Sequence, residues 1–250
     1  MLIIAHRGAS YTAPENTLSA FSLALSQGAD GIELDVRMTL DGEIVALHDK
    51  NTRRTCRQAC DVSKTLYSRI ASLDAGSWKD EKFTGERIPR LSEVLDILPP
   101  DRQIYIEIKC GKEITLPLIT LLRDYERLRD NIIIFGFGYE TIKHIKANLR
   151  EYRALWIGEF GFNLKGSPYD RAVEMVLGAG LDGFSTKADR VHCEHMRKRL
   201  KGMLMNVWTV DDTDDAEFFG NLGIDALTTN RPDIMLPIKT VVKERSKIYT

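Results

Sequence analysis

The sequence predicts an α/β protein built on a (β/α)₈ barrel, the TIM-barrel fold. Short β-rich runs alternate with amphipathic helical patterns along almost the whole chain, which indicates parallel strands joined by helical crossovers. Eight strand positions can be counted, and the chain has 250 residues, close to the ~250 residues that such a barrel typically needs. A dinucleotide-binding fold is disfavoured, because no G-x-G-x-x-G motif follows the first strand.

The predicted strands are short apolar runs bounded by turn residues. Gly8 and Pro14 stop the first run, and the Asp41-Gly42 turn separates the runs 31–36 and 43–48. We count these two runs as one interrupted barrel position. The eight positions are then 2–5, 31–48, 103–108, 132–135, 154–157, 182–185, 204–210 and 226–229.

The predicted helices have apolar residues three or four positions apart and recognisable end signals. In the segment 15–27, Leu18, Phe21 and Leu25 form one apolar stripe and Gly28 ends the helix. The other helices are predicted at 93–98, 116–128, 139–149, 169–179, 189–200 and 214–222, with a helical segment after Pro232.

The segment 49–90 interrupts this alternation, since it contains no convincing core strand or long amphipathic helix. Loops of more than about 12–15 residues are uncommon in compact domains unless they are functional. The segment also follows the carboxyl end of a strand, where barrel enzymes build their active sites. We therefore expect one catalytic domain over 1–250, with 49–90 inserted as a small subdomain over the mouth of the barrel.

Charge and cysteine content limit the class of protein. With 35 basic and 36 acidic residues the formal net charge is −1, which disfavours nucleic-acid binding. No Cys or His pair near Cys56 and Cys60 completes a zinc site, so free thiols in a reducing compartment are expected. No signal peptide and no apolar run of membrane-spanning length is apparent. We expect a cytoplasmic protein without a membrane span, and the sequence indicates no particular oligomeric state.

Acidic residues lie at the carboxyl ends of two predicted strands. Because side chains alternate along a strand, Glu33 and Asp35 share one face, and Glu107 shares a face with Lys109. Charged groups at buried strand ends are costly unless they are paired or bind a metal. Three carboxylates on neighbouring strands suit Mg²⁺ or Ca²⁺ better than zinc. The alternative is a salt-bridge network of the same carboxylates with Arg7 and Lys109.

Histidine, arginine and tryptophan complete the candidate site. His6 and His48 end the first two strand positions, and beside carboxylates such a pair is a candidate for proton transfer. Taken singly, each histidine is more often structural. Arg7 and Lys109 would neutralise an anionic substrate. Trp208 is expected either at the mouth of the barrel or in its core.

Nine short motifs occur in order between Ile3 and Pro232. They are His6-Arg7-Gly8-Ala9, Pro14-Glu15-Asn16-Thr17, Glu33-Leu34-Asp35-Val36, His48-Asp49, Leu73-Asp74-Ala75-Gly76-Ser77-Trp78, Gly85-Glu86-Arg87-Ile88-Pro89, Glu107-Ile108-Lys109, Val207-Trp208-Thr209-Val210 and Thr229-Asn230-Arg231-Pro232. In order and spacing they resemble the glycerophosphodiester phosphodiesterases. Each motif alone is weak, but nine in sequence are specific.

The resemblance implies a TIM barrel with a small insertion that hydrolyses a glycerophosphodiester to glycerol 3-phosphate and an alcohol. It assigns seven residues: Glu33, Asp35 and Glu107 to a divalent metal, Ca²⁺ or Mg²⁺, His6 and His48 to an acid–base pair, and Arg7 and Lys109 to the phosphate. The segment 51–62 departs from the family pattern, because two cysteines stand where relatives usually carry a Thr- and Gly-rich turn. This part is a candidate contact for the leaving alcohol.

Three other functions are compatible with parts of this pattern. Metal-assisted enolisation on a barrel would place ligands across the middle of the barrel, whereas the candidates here lie in the first three strand positions. A lysophospholipid-cleaving phospholipase D on the same core would favour an exposed apolar rim or a membrane anchor. A non-catalytic phosphodiester-binding module should have lost a histidine or a carboxylate, and all are present.

Overall fold

Eight parallel strands form a closed barrel in the computed structural model, which describes residues 1–159 and 168–239. The strand bounds in chain order are β1 (Leu2–His6), β2 (Gly31–Met38), β3 (Ile44–Ala46), β4 (Gln103–Ile108), β5 (Ile132–Gly136), β6 (Arg153–Ile157), β7 (Gly183–Lys187), β8 (Leu204–Trp208) and β9 (Ala226–Thr229). All except β3 belong to the barrel, which closes because β1 pairs in parallel with both β2 and β9. The predicted fold class is confirmed.

The second strand position differs in detail from the prediction. β2 alone is the barrel strand, and β3 runs antiparallel to it, with Val36 opposite Ala46 and Met38 opposite Ile44. The turn between them explains this reversal, since Gly42 adopts a positive φ of 86° and Thr39 closes the hairpin on Glu43. The run 43–48 therefore folds back on the end of β2 as a hairpin and is not part of the barrel wall.

The helices connect successive strands of the barrel. Their bounds are α1 (Leu18–Ser26), α2 (Arg53–Cys56), α3 (Tyr67–Ile70), α4 (Leu91–Asp96), α5 (Thr115–Arg123), α6 (Tyr139–Asn148), α7 (Pro168–Gly178), α8 (Arg190–Arg199) and α9 (Thr213–Asn221), and 232–239 is also helical. The predicted helix 116–128 is too long, because α5 ends at Arg123 and a 3₁₀ helix, Glu126–Asn131, follows. Within the described ranges, no helix is both long and apolar enough to cross a membrane.

Two apolar layers hold the barrel together and leave its carboxyl end polar. Strand residues such as Ile32, Leu34 and Ile106 pack outward against the helices. Alternate residues such as Ile4 and Ile133 fill the barrel interior. Because side chains alternate, the interior-facing positions that follow these apolar ones lie at the carboxyl ends of the strands. The candidate residues occupy those positions.

The segment 49–90 contributes an apolar cluster of its own. Its buried members are Val45, Leu47, Cys56, Val62, Ile70, Leu73, Ala75 and Ile88. Apart from Val45 and Leu47, which follow or belong to β3, all lie within the segment. We propose that 49–90 is the small inserted subdomain that the sequence predicts, because these short elements are tied together by side chains distinct from the two barrel layers.

The turn after β1 is tightly constrained. Arg7 and Gly8 adopt positive φ angles of 58° and 81°. A Cβ atom at Gly8 would lie 2.5 Å from the backbone carbon of Ala20 in α1, so only glycine allows this approach. The turn lets α1 pack closely while the backbone of Arg7 faces the interior of the barrel mouth.

We predict that Gly8→Ala destabilises the protein more than Gly42→Ala. Gly42 also has a positive φ, but an added Cβ would meet no atom within 4 Å. The Gly42 variant should lose about 1–2 kcal/mol for the left-handed backbone alone, and the Gly8 variant a further ~1–3 kcal/mol for overpacking. Urea-induced unfolding of the two variants measures this difference. Equal losses would show that the contact with α1 does not constrain the turn.

Candidate active site

A cavity of about 260 Å³ opens at the carboxyl end of the barrel. Seven of the eight predicted site residues line it, and the eighth, Asp35, lies fully buried beside them. Trp208, which the sequence placed at the mouth or in the core, lies at the mouth. Phe135, Phe137 and Thr228 also line the cavity and were missed, since an apolar or hydroxyl side chain carries no chemical signature in the sequence.

Strand register brings the three predicted carboxylates together. Glu33 is paired with His6 of β1, and Asp35 is paired with Glu107 of β4. One oxygen of each carboxylate lies within 4.8 Å of the others, and all three residues are buried. Residues far apart in the sequence thus form one acidic cluster.

The oxygens of this cluster are incompletely hydrogen-bonded. Among the described residues, Glu33 Oε1, Asp35 Oδ1 and Glu107 Oε1 have no hydrogen-bond partner. Two cations nevertheless lie close to the cluster. Lys109 Nζ is 2.6 Å from Glu107 Oε1 and 3.2 Å from Asp35 Oδ1, and Arg7 Nε is 3.0 Å from Asp35 Oδ2. Glu107 Oε1 and Asp35 Oδ1 are therefore ion-paired with Lys109, and among the described residues only Glu33 Oε1 of the three oxygens has neither a hydrogen bond nor a cation within 4 Å. The cluster offers oxygen ligands to a metal and also contains the cations of the alternative salt-bridge network.

The pKa values of the three carboxyl groups show that Arg7 and Lys109 do not neutralise all of the negative charge in the cluster. Burial and the neighbouring Asp35 raise the pKa of Glu107 to about 7, and the same two causes hold the pKa of Glu33 well above its ordinary value. Burial opposes ionisation of Asp35 as well, but Arg7 and Lys109 outweigh it and lower its pKa to about 2. Three ionised carboxylates are thus unfavourable here without further positive charge. A divalent cation with oxygen ligands fits these residues.

Arg7 and Asn16 hold the acidic cluster from the first loop. The Arg7 backbone N–H donates to Glu33 Oε2 over 2.8 Å, and its Nη1 donates to Glu15 Oε1 over 2.8 Å. Asn16 donates through Nδ2 to Asp35 Oδ2 over 2.8 Å and accepts from the Asp35 N–H. Asn16 has a φ of 58°, which asparagine tolerates better than most residues. The motif 14–17 was recognised in the sequence, but no role was assigned to it. These contacts show that its residues hold Arg7 and Asp35 in place.

His6 is held by an oriented amide. Asn230 Nδ2 donates to the Asp211 carboxylate over 2.6 Å, so Asn230 Oδ1 faces His6 Nδ1 at 2.8 Å. Because an amide oxygen only accepts, Nδ1 of the ring carries the hydrogen and Nε2 is left as the acceptor. Burial and the positive charge of Arg7 lower the pKa of His6. The ring is therefore held neutral, with its basic nitrogen available.

His48 is held by a carboxylate. Its Nδ1 lies 2.7 Å from Asp49 Oδ1, which leaves Nε2 for the cavity that His48 lines. Arg37 fixes the local backbone, because its guanidinium donates to the carbonyl oxygens of His48 and Lys109. Arg37 precedes the β2–β3 turn and was not picked out by its sequence pattern. Both imidazoles thus have Nε2 available to the cavity, but Nδ1 is held by an amide in His6 and by a carboxylate in His48.

Aromatic side chains form the wall near Lys109. Phe137 and Trp208 are in edge-to-face contact with ring centroids 5.7 Å apart, and Lys109 Nζ lies 5.5 Å from the centre of the Phe137 ring. The indole Nε1 of Trp208 is buried and makes no hydrogen bond to the residues described. This wall offers an apolar surface with one unused donor beside the charged cluster.

The fold and the residues at the mouth of the barrel define a TIM-barrel enzyme whose site contains two imidazoles and an acidic cluster that could bind a cation. Residues 6–234 match the model of the glycerophosphoryl diester phosphodiesterase family. The chain therefore belongs to that family and is an enzyme of that class.

Individual relatives agree with this assignment. A glycerophosphodiester phosphodiesterase of Caldanaerobacter subterraneus subsp. tengcongensis is 34% identical over 240 residues, which are 94% of this chain and 96% of the relative. The crystal structure of a glycerophosphodiester phosphodiesterase from Agrobacterium tumefaciens has a TM-score of 0.78 at 29% identity, covering 94% of this chain and 98% of that chain. A phosphodiesterase from Oleispira antarctica, in complex with the product sn-glycerol-3-phosphate, has a TM-score of 0.81 at 25% identity, covering 96% and 97%.

The raised pKa of Glu107 predicts an unusual dependence of stability on pH in the metal-free protein. Since its pKa rises from 4.5 to about 7 on folding, the folded state binds the proton more tightly than the unfolded chain. Its contribution to stability therefore falls as pH rises through this window. The lowered pKa of Asp35 acts in the opposite sense, but its effect is lost only as pH falls below 3.8.

We expect Glu107→Gln to be more stable than the unmodified protein at about pH 8 in chelator, by on the order of 2 kcal/mol, with a smaller difference at about pH 5. Thermal unfolding at both pH values measures this. Glu81→Gln, which removes an exposed carboxylate, is the control and should show no such difference. A difference that does not change with pH would contradict the strained carboxylate cluster.

Proposed function

We propose that the protein hydrolyses glycerophosphodiesters to glycerol 3-phosphate and an alcohol, with a divalent metal and an acid–base pair of histidines. The main support for this proposal is that one cavity is lined by two imidazoles, by Arg7 and by members of a carboxylate cluster that could bind a cation. The product bound to the Oleispira antarctica relative supports the same substrate class.

Glu33, Asp35 and Glu107 would hold Mg²⁺ or Ca²⁺. When bound, such an ion stabilises negative charge on phosphoryl oxygens. Arg7 and Lys109 would bind the phosphate, because they are the cations nearest the cluster and both border the cavity. A cation that compensates the carboxylates would also weaken the hold of Glu107 on Lys109, which would let that ammonium group face the substrate.

His6 is proposed as the base in the first step. A base must be neutral and must present a free lone pair, and the contact with Asn230 supports both conditions at Nε2. The lowered pKa of His6 keeps the ring neutral below the usual range for histidine.

His48 is proposed as the acid. The carboxylate of Asp49 complements the positive charge of a doubly protonated ring, and that ring can deliver the proton on Nε2 to a leaving alcohol. The two rings differ in their partners, an amide for His6 and a carboxylate for His48. This difference is the reason for assigning them opposite roles.

The bond to the alcohol would break by attack from within the substrate. The hydroxyl on C2 of the glycerol attacks phosphorus, His6 Nε2 takes its proton, and His48 protonates the departing alcohol oxygen. This yields a cyclic phosphate, which water opens to glycerol 3-phosphate with the two histidines in reversed roles. A well-oriented intramolecular nucleophile can remove several kcal/mol of the barrier, and Arg7 would stabilise the charge on the phosphoryl oxygens. Trp208 would pack against the glycerol.

A small-molecule substrate fits the dimensions of the site. The cavity of about 260 Å³ lies below the ~300–1,000 Å³ common for larger ligands. The alternative substrate, a lysophospholipid, would have to place its acyl chain outside this cavity. All four cysteines carry free thiols, which supports the cytoplasmic location proposed from the sequence.

The function is tested by release of glycerol 3-phosphate from a panel of glycerophosphodiesters, with one lysophospholipid included. We expect release from the glycerophosphodiesters, its loss after chelation and its recovery with Mg²⁺ or Ca²⁺. Turnover that survives exhaustive chelation would exclude the metal role of the cluster. Preferential cleavage of the lysophospholipid would favour the alternative substrate.

The acid–base pair predicts the effect of histidine substitution. His6→Ala and His48→Ala should each lower kcat by ~10²–10⁴-fold, the usual contribution of a positioned acid or base. Neither change should greatly alter the melting temperature, because both rings border an open cavity. If either variant retains a near-normal kcat, the substituted histidine is not a member of the acid–base pair.

The proposed intramolecular attack predicts that a substrate lacking only the 2-hydroxyl will bind but will not be cleaved. It should act as a competitive inhibitor, since the phosphate and alcohol contacts are retained. Measurement of its turnover and its inhibition constant decides the point. Cleavage at a rate comparable to that of the parent compound would indicate direct attack by water.

A further inference from the structure

Arg54 connects the inserted segment to the site through two carboxylates. It lies on the short helix α2, and its Nη1 and Nη2 donate to the two oxygens of Glu15 over 2.6 and 2.8 Å. Its Nε donates to Asp49 Oδ2 over 2.7 Å. One guanidinium thus uses all three of its nitrogens in charge-assisted hydrogen bonds.

Both carboxylates in turn hold residues that line the cavity. Asp49 uses its other oxygen, Oδ1, to bind His48 Nδ1 over 2.7 Å. Glu15 Oε1 also accepts from Arg7 Nη1 over 2.8 Å. The chain of contacts therefore runs from His48 through Asp49, Arg54 and Glu15 to Arg7.

This arrangement differs from an ordinary surface ion pair. Exposed pairs contribute little because two flexible side chains must be ordered for one contact. Here the guanidinium is held at three points, and Glu15 is largely buried, with 12% of its side chain exposed. Burial alone would raise the pKa of Glu15, but the hydrogen bonds from Arg54 and the charge of Arg7 lower it. Glu15 is thereby kept as an ionised anchor.

The orientation of His48 depends on Asp49, and Asp49 is adjacent to it in the chain. A residue next to a catalytic group needs a second contact to fix its side chain, because both oxygens could otherwise rotate toward solvent. Arg54 supplies that contact at Oδ2 and leaves Oδ1 for the imidazole.

We infer that Arg54 is a positioning residue: anchored by Glu15, it orients Asp49 and thereby aligns His48 for proton transfer to the leaving alcohol. The inference rests on the proposed function, since it assigns Arg54 to the acid of that mechanism. It also gives the inserted segment a part in catalysis, because Arg54 belongs to α2 of that segment.

The experiment compares two leaving groups by the rate at which each alcohol is released in a single turnover. This rate reports the first step alone, because opening of the cyclic phosphate, in which His48 also takes part, follows release of the alcohol. A glycerophosphodiester of ethanolamine needs its alcohol oxygen protonated, whereas a glycerophosphodiester of p-nitrophenol has a leaving group that departs as the anion. Arg54→Met should lower the rate of alcohol release at least about tenfold with the ethanolamine diester, part of the ~10²–10⁴-fold available from a positioned acid. With the p-nitrophenyl diester the loss should be much smaller. Asp49→Asn should show the same pattern, and Arg54→Lys an intermediate one.

Arg53→Met is the matched control. Arg53 lies one residue earlier on α2, has the same charge and is exposed, so Arg53→Met should release both alcohols at the rate of the unmodified protein. Melting temperatures of both variants accompany the kinetics. If Arg54→Met slows release of the two alcohols equally, Arg54 has a merely structural role and the inference is overturned. An unchanged rate of release with the ethanolamine diester would overturn it as well.

His48→Ala separates failure of the inference from failure of the proposed function. If His48→Ala shows the dependence on leaving group and Arg54→Met does not, the acid assignment stands and the inference is wrong. If His48→Ala slows release of the alcohol equally with both substrates in a single turnover, the acid assignment itself fails, and the role of Arg54 falls with it.

Discussion

Three buried carboxylates repel one another at the carboxyl ends of two adjacent strands, β2 and β4. Glu33, Asp35 and Glu107 are buried, and the barrel register fixes their backbones side by side. Their side chains cannot separate without leaving the barrel interior. Much of the surrounding structure compensates this repulsion, and the raised pKa values of Glu33 and Glu107 show that the compensation is incomplete.

The first loop is built around this constraint. Arg7 adopts a left-handed backbone conformation, which brings its N–H to Glu33 and its guanidinium to Asp35. Such conformations cost of order 1–3 kcal/mol in residues other than glycine and persist only where the surroundings enforce them. Asn16 also has a left-handed backbone conformation, and its side-chain amide donates a hydrogen bond to Asp35. The strained loop thus supports the cluster with donors that a regular strand end could not provide.

Much of this was predictable from local patterns. Alternation along the strands placed Glu33 with Asp35 and Glu107 with Lys109, because a period of two is a property of the backbone. The eight barrel positions followed from short apolar runs, apart from the run 43–48, whose reversal depends on the conformation of a turn. The motifs 14–17 and 229–232 were recognisable, but their contacts with Asp35 and His6 were not, since those contacts depend on tertiary packing across 19 and 224 residues of chain. The role of Arg54 could not be predicted either, because its partner Glu15 lies 39 residues away and only the fold brings the two side chains together.

We propose that the acidic cluster is a divalent-metal site and not a closed salt-bridge network. Crystals grown with Mn²⁺, with anomalous diffraction recorded at the manganese edge, test it most directly. A metal site should give one peak within ~2.0–2.6 Å of an oxygen of each of Glu33, Asp35 and Glu107, the range of Mg²⁺ and Ca²⁺ ligation. Lys109 Nζ should have moved from the 2.6 Å contact with Glu107 Oε1. A map without a peak there, with Lys109 still in place between Glu107 and Asp35, would contradict it.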